Sequence, residues 1–257
     1  MNISILFENK NVLIIDKPVG LVIHGDGRNT EPSVVDWVVK NYPNIQGVGE
    51  DMVINHKGKE IVIPRPGIVH RIDRETSGIL VITKTQESFL HLKEQFKERK
   101  VEKIYHAVCH GSIKNDSGEI TEPIGRHPKD FRKKVAGNSA RGKVRGAQTD
   151  YTVIARYEDV TAKKDIQGKY PAYTYVEVRP KTGRTHQIRV HLKWLNHPIV
   201  GDTLYEGKRS TAFITRTALH AYSITFKDID GETINVNCPL PKDIQAVIDG
   251  LKKKSNA

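Results

Sequence analysis

Short apolar runs of strand length, broken by polar turns and only a few helix-like stretches, constrain this chain most. Residues 4–15, SILFENKNVLII, read as two strands around a Glu-Asn-Lys-Asn turn. GILVITK (78–84), VEKIYHAVCHG (101–111), DYTVIARY (150–157) and YPAYTYVEVRP (170–180) continue the pattern. ALHAYSITF and DGETINVNCPLP supply a final strand pair. In VEKIYHAVCHG, Ile104, His106 and Val108 alternate with Tyr105, Ala107 and Cys109, as in a half-buried strand. Helical spacing is confined to four places. These are SVVDWVVKNY (33–42) with Ser33 as its cap, a stretch from Thr85 to 99, THQIRVHLKWL (185–195) and DIQAVIDGLKKK near the end. Residues 44–66 are irregular and read as a loop or hairpin insertion. Without a regular βαβ rhythm, this mixture predicts an α+β fold.

The charge balance is uneven. Lys plus Arg is 41 against 30 Asp plus Glu, a net charge of +11. That excess predicts an anionic partner, with nucleic acid first. Residues 126–146 concentrate it, with eight Lys/Arg and one acid, and read as a flexible basic arm that grips phosphates. The alternative is a solvated charged loop. Two distant cysteines, Cys109 and Cys238, form neither a disulfide framework nor a zinc site, which suits a cytoplasmic chain. No signal peptide and no membrane span is legible. GxxxxGK[ST], GxGxxG, HExxH and GxSxG are all missing.

One short stretch asks for a chemical explanation. In HRIDRETSG (70–78) the carboxylate of Asp73 stands among His70, Arg71 and Arg74, with Glu75 two residues on. A carboxylate among cations favours its charged form, which makes it a poor general acid but a competent nucleophile or electrostatic stabiliser. The bland reading is a surface ion pair of Asp73 with Arg71 or Arg74, worth ~0–1 kcal/mol. No second carboxylate stands out as a proton donor of the kind glycoside hydrolysis needs. A lone acid suits a leaving group that needs little protonation, and uracil is one.

HRIDRETSG resembles the catalytic motif of RluA/RluD-type pseudouridine synthases. IDKPVGLVIHGDGR (15–28), KIYHAVCHG (103–111), TGRTHQIRVHL (182–192) and HPIVGD (197–202) agree with that family in order. The resemblance implies a single catalytic domain over 1–257, made of two subdomains sharing one mixed, mainly antiparallel sheet with helices and loops around it. It also implies a catalytic cleft across the middle, and the domain is read as carrying the basic arm at 126–146 and a basic tail at 252–257. The small RNA-binding domain that precedes the catalytic one in many relatives is expected to be absent.

The implied activity is isomerisation of uridine to pseudouridine in RNA, ribosomal or transfer, without metal or organic cofactor; a cytoplasmic monomer is the default expectation. Asp73 would be the catalytic aspartate, acting at the ribose carbon that bears the base. Tyr105 would stack on the base and take part in removing the surplus proton. Arg189 would pair with Asp73, and Ile188 would pack against the target base. Arg71 would fill the space of the extruded nucleotide, since a base must leave its stack before its glycosidic bond is reached. Lys17, Arg184 and His186 would add grip on the RNA. Two other functions fit less well. One is a non-catalytic RNA-binding or ribosome-assembly protein, and the other is a nucleic-acid N-glycosylase, which would release free uracil.

Overall fold

The computed structural model describes residues 2–25, 31–56, 58–207 and 213–253. The strands over the first half are β1 (Ser4–Glu8), β2 (Val12–Lys17), β3 (Met52–His56), β4 (Lys59–Ile63), β5 (Ser77–Thr83), β6 (Glu102–His110) and β7 (Ser117–Ile120). They continue as β8 (Ile124–Arg126), β9 (Lys134–Ala136), β10 (Arg141–Arg145), β11 (Thr149–Glu158) and β12 (Ala172–Pro180). The last are β13 (Leu219–Lys227), β14 (Thr233–Asn237) and β15 (Lys252–Lys253). Helices α1 (Val34–Asn41), α2 (Gln86–Lys97), α3 (Gln187–Trp194) and α4 (Lys242–Asp249) complete an α+β fold.

The chain forms two compact units, Met1–Lys103 with Ala221–Cys238, and Ile104–His220 with Pro239–Ala257. In the first, strands lie in the order β1-β2-β5-β13, and β14 pairs with β13. The β2–β5 pair is antiparallel, with Leu13 opposite Ile82 and Ile15 opposite Leu80. All four side chains are fully buried. A strand covered on both faces has no use for polar alternation, so VLII and ILVI are unbroken apolar runs. Each such side chain contributes about 1.5–3 kcal/mol by leaving water.

Ser33 caps α1 by accepting from the Asp36 backbone N–H, and the Asp36 carboxylate accepts in return from the Ser33 N–H. That reciprocal pair fixes where the helix begins. The 44–66 insertion contains a hairpin, β3 paired with β4.

In the second unit the order is β6-β12-β11-β15, with β7 also on β11. Ala107, Val108 and Cys109 are all fully buried, so β6 is covered on both faces toward its C-terminal end instead of being half-buried throughout. Its core continues through Val176, Val178, Leu192, Ile199 and Ile244. The basic segment departs from expectation. It is a small antiparallel sheet of order β10-β8-β9, not a flexible arm. Its strand signal is weak because β10 alternates cations with Gly and Val, and β8 and β9 are three residues each. The terminal helix stops before Gly250, and Lys252–Lys253 pair with β11, so the basic end is not helical. The HGDGR stretch beyond Gly25 and the tail from 254 lie outside the described residues.

Candidate active site

The chain entering HRIDRETSG is laid against β5. Gly67 accepts from the Thr83 N–H at 2.9 Å and donates to the Val48 carbonyl at 2.8 Å. Its φ is +70°, and a Cβ there would lie 2.5 Å from the Thr83 oxygen, so glycine is required. Three residues on, a side chain replaces the backbone in this ladder. The His70 Nε2 accepts the Val81 N–H at 2.9 Å, and the ring stacks on Phe96 of α2 with centroids 4.9 Å apart. Burial, with Lys103 nearby, holds the His70 pKa down to about 3, so the ring is neutral at pH 7.

Beyond Asp73 the backbone turns, with the Thr76 N–H donating to the Asp73 carbonyl at 3.1 Å. The Arg74 carbonyl is then pinned from two sides, by the Gly20 N–H at 2.9 Å and the Lys17 ammonium at 3.1 Å. The half-buried Asp73 thus sits on a loop anchored before it by His70 and after it by Arg74.

Arg74 does not pair with Asp73 as a local ion pair would. The Arg74 guanidinium faces Glu31 at 3.0 Å and lies 3.9 Å from Glu75. His70 carries no charge. Arg71 is exposed, and among the described residues it makes no ion pair. The surface-pair reading with Arg74 is therefore wrong. Lys17 also needs correction. It is 0% exposed, and its ammonium donates to the carbonyls of Pro18, Leu21 and Arg74. It organises the loop and presents no surface to a phosphate. An ammonium this deep needs such dipoles to replace its water.

In the second unit, Tyr105 lies on β6 opposite Val178 of β12 and packs partly buried against the core. Its neighbour His106 bonds through Nδ1 to the Tyr175 hydroxyl at 2.6 Å. Burial, then the nearby His220, lowers the His106 pKa to about 4.

Helix α3 begins inside TGRTHQIRVHL, at Gln187. A buried glutamine closes the loop onto the helix. Gln187 Oε1 accepts from Thr182 Oγ1 at 2.7 Å and from the Arg184 N–H at 3.0 Å, while its Nε2 donates to the Gln148 carbonyl and Thr149 Oγ1. His186 takes the left-handed conformation at φ 57° and meets the Tyr205 hydroxyl at 2.8 Å. Arg184 is half-buried and donates from Nε to the Gly146 carbonyl.

Arg189 is 5% exposed, not a solvent-facing residue. Asp202, wholly buried, clamps it bidentately, Nε to Oδ2 at 2.7 Å and Nη2 to Oδ1 at 2.9 Å. Its Cζ also lies 5.0 Å from the centre of the Tyr205 ring. A guanidinium has five N–H donors, and Asp202 takes two of them, so a second acceptor can be served. Ile188 is 7% exposed and lies in the apolar cluster.

Asp202 and Tyr205 carry functional geometry that sequence reasoning did not assign. Asp202 closes HPIVGD, and its Oδ1 also accepts the Leu204 and Tyr205 N–H groups. The one signal for it was its place at the end of that stretch, but its partner lies 13 residues upstream on α3. Three further histidines are tied into structure. His110 meets Glu206 at 3.3 Å, His191 bridges Thr149 and the Glu122 carbonyl, and His197 bonds the His110 carbonyl.

Comparison with known proteins agrees with the motif order. The family model described as RNA pseudouridylate synthase matches residues 11–194. The "Ribosomal large subunit pseudouridine synthase D" of Xanthomonas campestris pv. campestris is 35% identical, over 98% of this chain and 70% of that protein. The "Uncharacterized RNA pseudouridine synthase YlyB" of Bacillus subtilis is 34% identical, over 98% of this chain and 74% of its own length. The solved structure of human RNA Pseudouridylate Synthase Domain Containing 1 superposes with a TM-score of 0.72 at 23% identity, covering 99% of this chain and 89% of that one, and supports the fold. This chain belongs to the RNA pseudouridylate synthase family, and its reaction is the isomerisation of uridine to pseudouridine in RNA.

Proposed function

We propose that the protein isomerises uridines of large-subunit ribosomal RNA, with Asp73 as the catalytic carboxylate. The observation that carries the second part is the state of the motif. The loop around Asp73 is pinned on both sides, before it by His70 and after it at the Arg74 carbonyl. A carboxylate so held is pre-organised for attack at the ribose carbon bearing the base. The bond from that carbon to N1 of uracil breaks, its electrons passing into the ring, and the freed base turns. Carbon 5 then bonds to the same ribose carbon as the Asp73 oxygen leaves it, which restores the free carboxylate. The hydrogen on carbon 5 leaves as a proton, and N1 takes one up, so no atom is gained or lost.

In this reading Tyr105 flanks the base and takes part in the proton step. Arg189 supplies the cation that orients the acid, and its clamp on Asp202 keeps it from wandering. Arg71, exposed and without an ion pair among the described residues, takes the place of the extruded nucleotide. The ribosomal assignment rests on the name of the Xanthomonas relative and on the net charge of +11, which favours a heavily phosphorylated partner. Mapping pseudouridines in cellular RNA with and without the protein tests it. Loss confined to large-subunit ribosomal RNA is expected, and loss confined to transfer RNA would move the substrate there.

A further inference from the structure

At the tip of the β8–β9 hairpin stands a phenylalanine that the core does not use. Phe131 is 89% exposed. Single apolar residues on a surface are common, and exposure alone would mean little. The construction beneath this one is what matters. Asp130 accepts the Lys133 N–H on its carbonyl at 3.0 Å, which closes a tight turn with Phe131 at its first central position. The Asp130 carboxylate is clasped by the Arg132 guanidinium, Nε to Oδ1 at 3.0 Å and Nη2 to Oδ2 at 2.9 Å. It also accepts the Arg132 N–H at 3.1 Å. From the other side, the His127 Nδ1 accepts the N–H groups of Lys129 and Asp130 at 3.2 and 3.1 Å. At the base of the hairpin, His127 donates its own N–H to the Lys133 carbonyl at 3.1 Å. The tip is therefore a hydrogen-bonded knot that holds an aromatic ring outward.

The surroundings of the ring are cationic. Lys129, Arg132 and Lys133 flank it in sequence, and the single acid among them is already engaged by Arg132. The same small sheet exposes Arg141, Lys143 and Arg145 along β10. A protein partner is a poor match for this tip, because lysine is depleted in the cores of protein interfaces and each cation would have to shed water. An aromatic face set among backbone-seeking cations is instead the arrangement that binds single-stranded nucleic acid. Phosphates meet the cations, and an unstacked base lies on the ring.

We propose that Phe131 is a stacking platform for an unpaired nucleotide of the RNA substrate. It would dock a base other than the one isomerised. The inference rests on the RNA substrate assigned above but not on the catalytic residues, and it adds a feature that reads strandedness.

Fluorescence anisotropy of the full chain with an oligouridylate of about twelve nucleotides, and with a duplex RNA of equal length, tests it. Phe131→Ala is expected to weaken single-strand binding about tenfold, the loss of one base–aromatic stack, while the salt slope stays the same. Phe131→Trp should restore the affinity and Phe131→Leu should not, because stacking needs a π-face and burial does not. Duplex affinity should change less than about twofold, since paired bases are not free to stack. The proposal is overturned if leucine serves as well as phenylalanine, if Phe131→Ala binds the single strand normally, or if single strand and duplex lose affinity equally. Pseudouridine formation by the unaltered chain is read separately. A chain that binds through Phe131 yet forms no pseudouridine would overturn the reaction and keep the platform. A chain that isomerises uridine while Phe131→Ala binds normally would overturn only the platform.

Discussion

Arg189 and Asp202 form a buried, hydrogen-bonded ion pair, and such a pair is best understood by what happens when one half is removed. Asp202→Asn leaves the guanidinium desolvated with a weaker acceptor. We expect a loss of about 3–5 kcal/mol of folding free energy, measured by urea denaturation, together with loss of pseudouridine formation. His70 gives a prediction in pH. Unfolded, it titrates at the ordinary value of 6.5, and folded it stays neutral down to about 3. The unfolded chain therefore binds the extra proton across that window. Stability present above pH 6.5 is lost as pH falls through it, and His106 acts in the same direction down to about 4. His70→Gln keeps an acceptor for the Val81 N–H without a titrating ring, so its stability should fall less between pH 6.5 and about 4. An equal fall would remove His70 from the account. Asp73 stands out in the sequence because it lies between Arg71 and Arg74, with His70 three residues before it. The roles of its neighbours do not, because a histidine that completes a ladder and an arginine that faces Glu31 look identical in one dimension to two catalytic cations.

At the level of elements, α3 was legible from its spacing but its polar face was not. Residues at helical positions that look solvent-facing, Gln187, Arg189 and His191, are all buried, because each finds partners from β11 or from the HPIVGD turn. Periodicity reports where apolar side chains point, and it is silent on polar ones that are satisfied inside. The basic segment shows the complementary failure. Its strands are short and nearly without apolar alternation, so pattern alone suggests a loop. The glycine of HPIVGD is explained by geometry. Gly201 has φ +71°, and a Cβ there would lie 2.1 Å from the Arg216 carbonyl oxygen. Gly201→Ala should cost about 2 kcal/mol or more, seen as a lower denaturation midpoint, since both backbone strain and a clash with immovable backbone oppose it. A stability loss within about 0.5 kcal/mol, the range of an ordinary surface substitution, would contradict that view.

Across the whole molecule, charge does what no single pair of residues does. A net charge of +11 steers a polyanion toward the chain, and the exposed row Arg141, Lys143 and Arg145 is where the small sheet presents it. Changing all three to Glu should weaken RNA binding and lower the slope of log affinity against log salt by about 0.7 for each phosphate that is no longer neutralised. An unchanged slope would return β10 to a solvated surface. The α+β class was readable because strand-length runs outnumber helical ones, whereas the division into two compact units leaves no linker in the sequence for a reader to find. The central claim is that one carboxylate, Asp73, carries the isomerisation. The most direct measurement compares the unaltered chain with Asp73→Asn on the same RNA, reading both pseudouridine formed and RNA bound. Binding within about twofold and no detectable pseudouridine is the predicted result, because the amide keeps the shape of the acid but not its nucleophilicity. Pseudouridine formed by Asp73→Asn at the unaltered rate would contradict it.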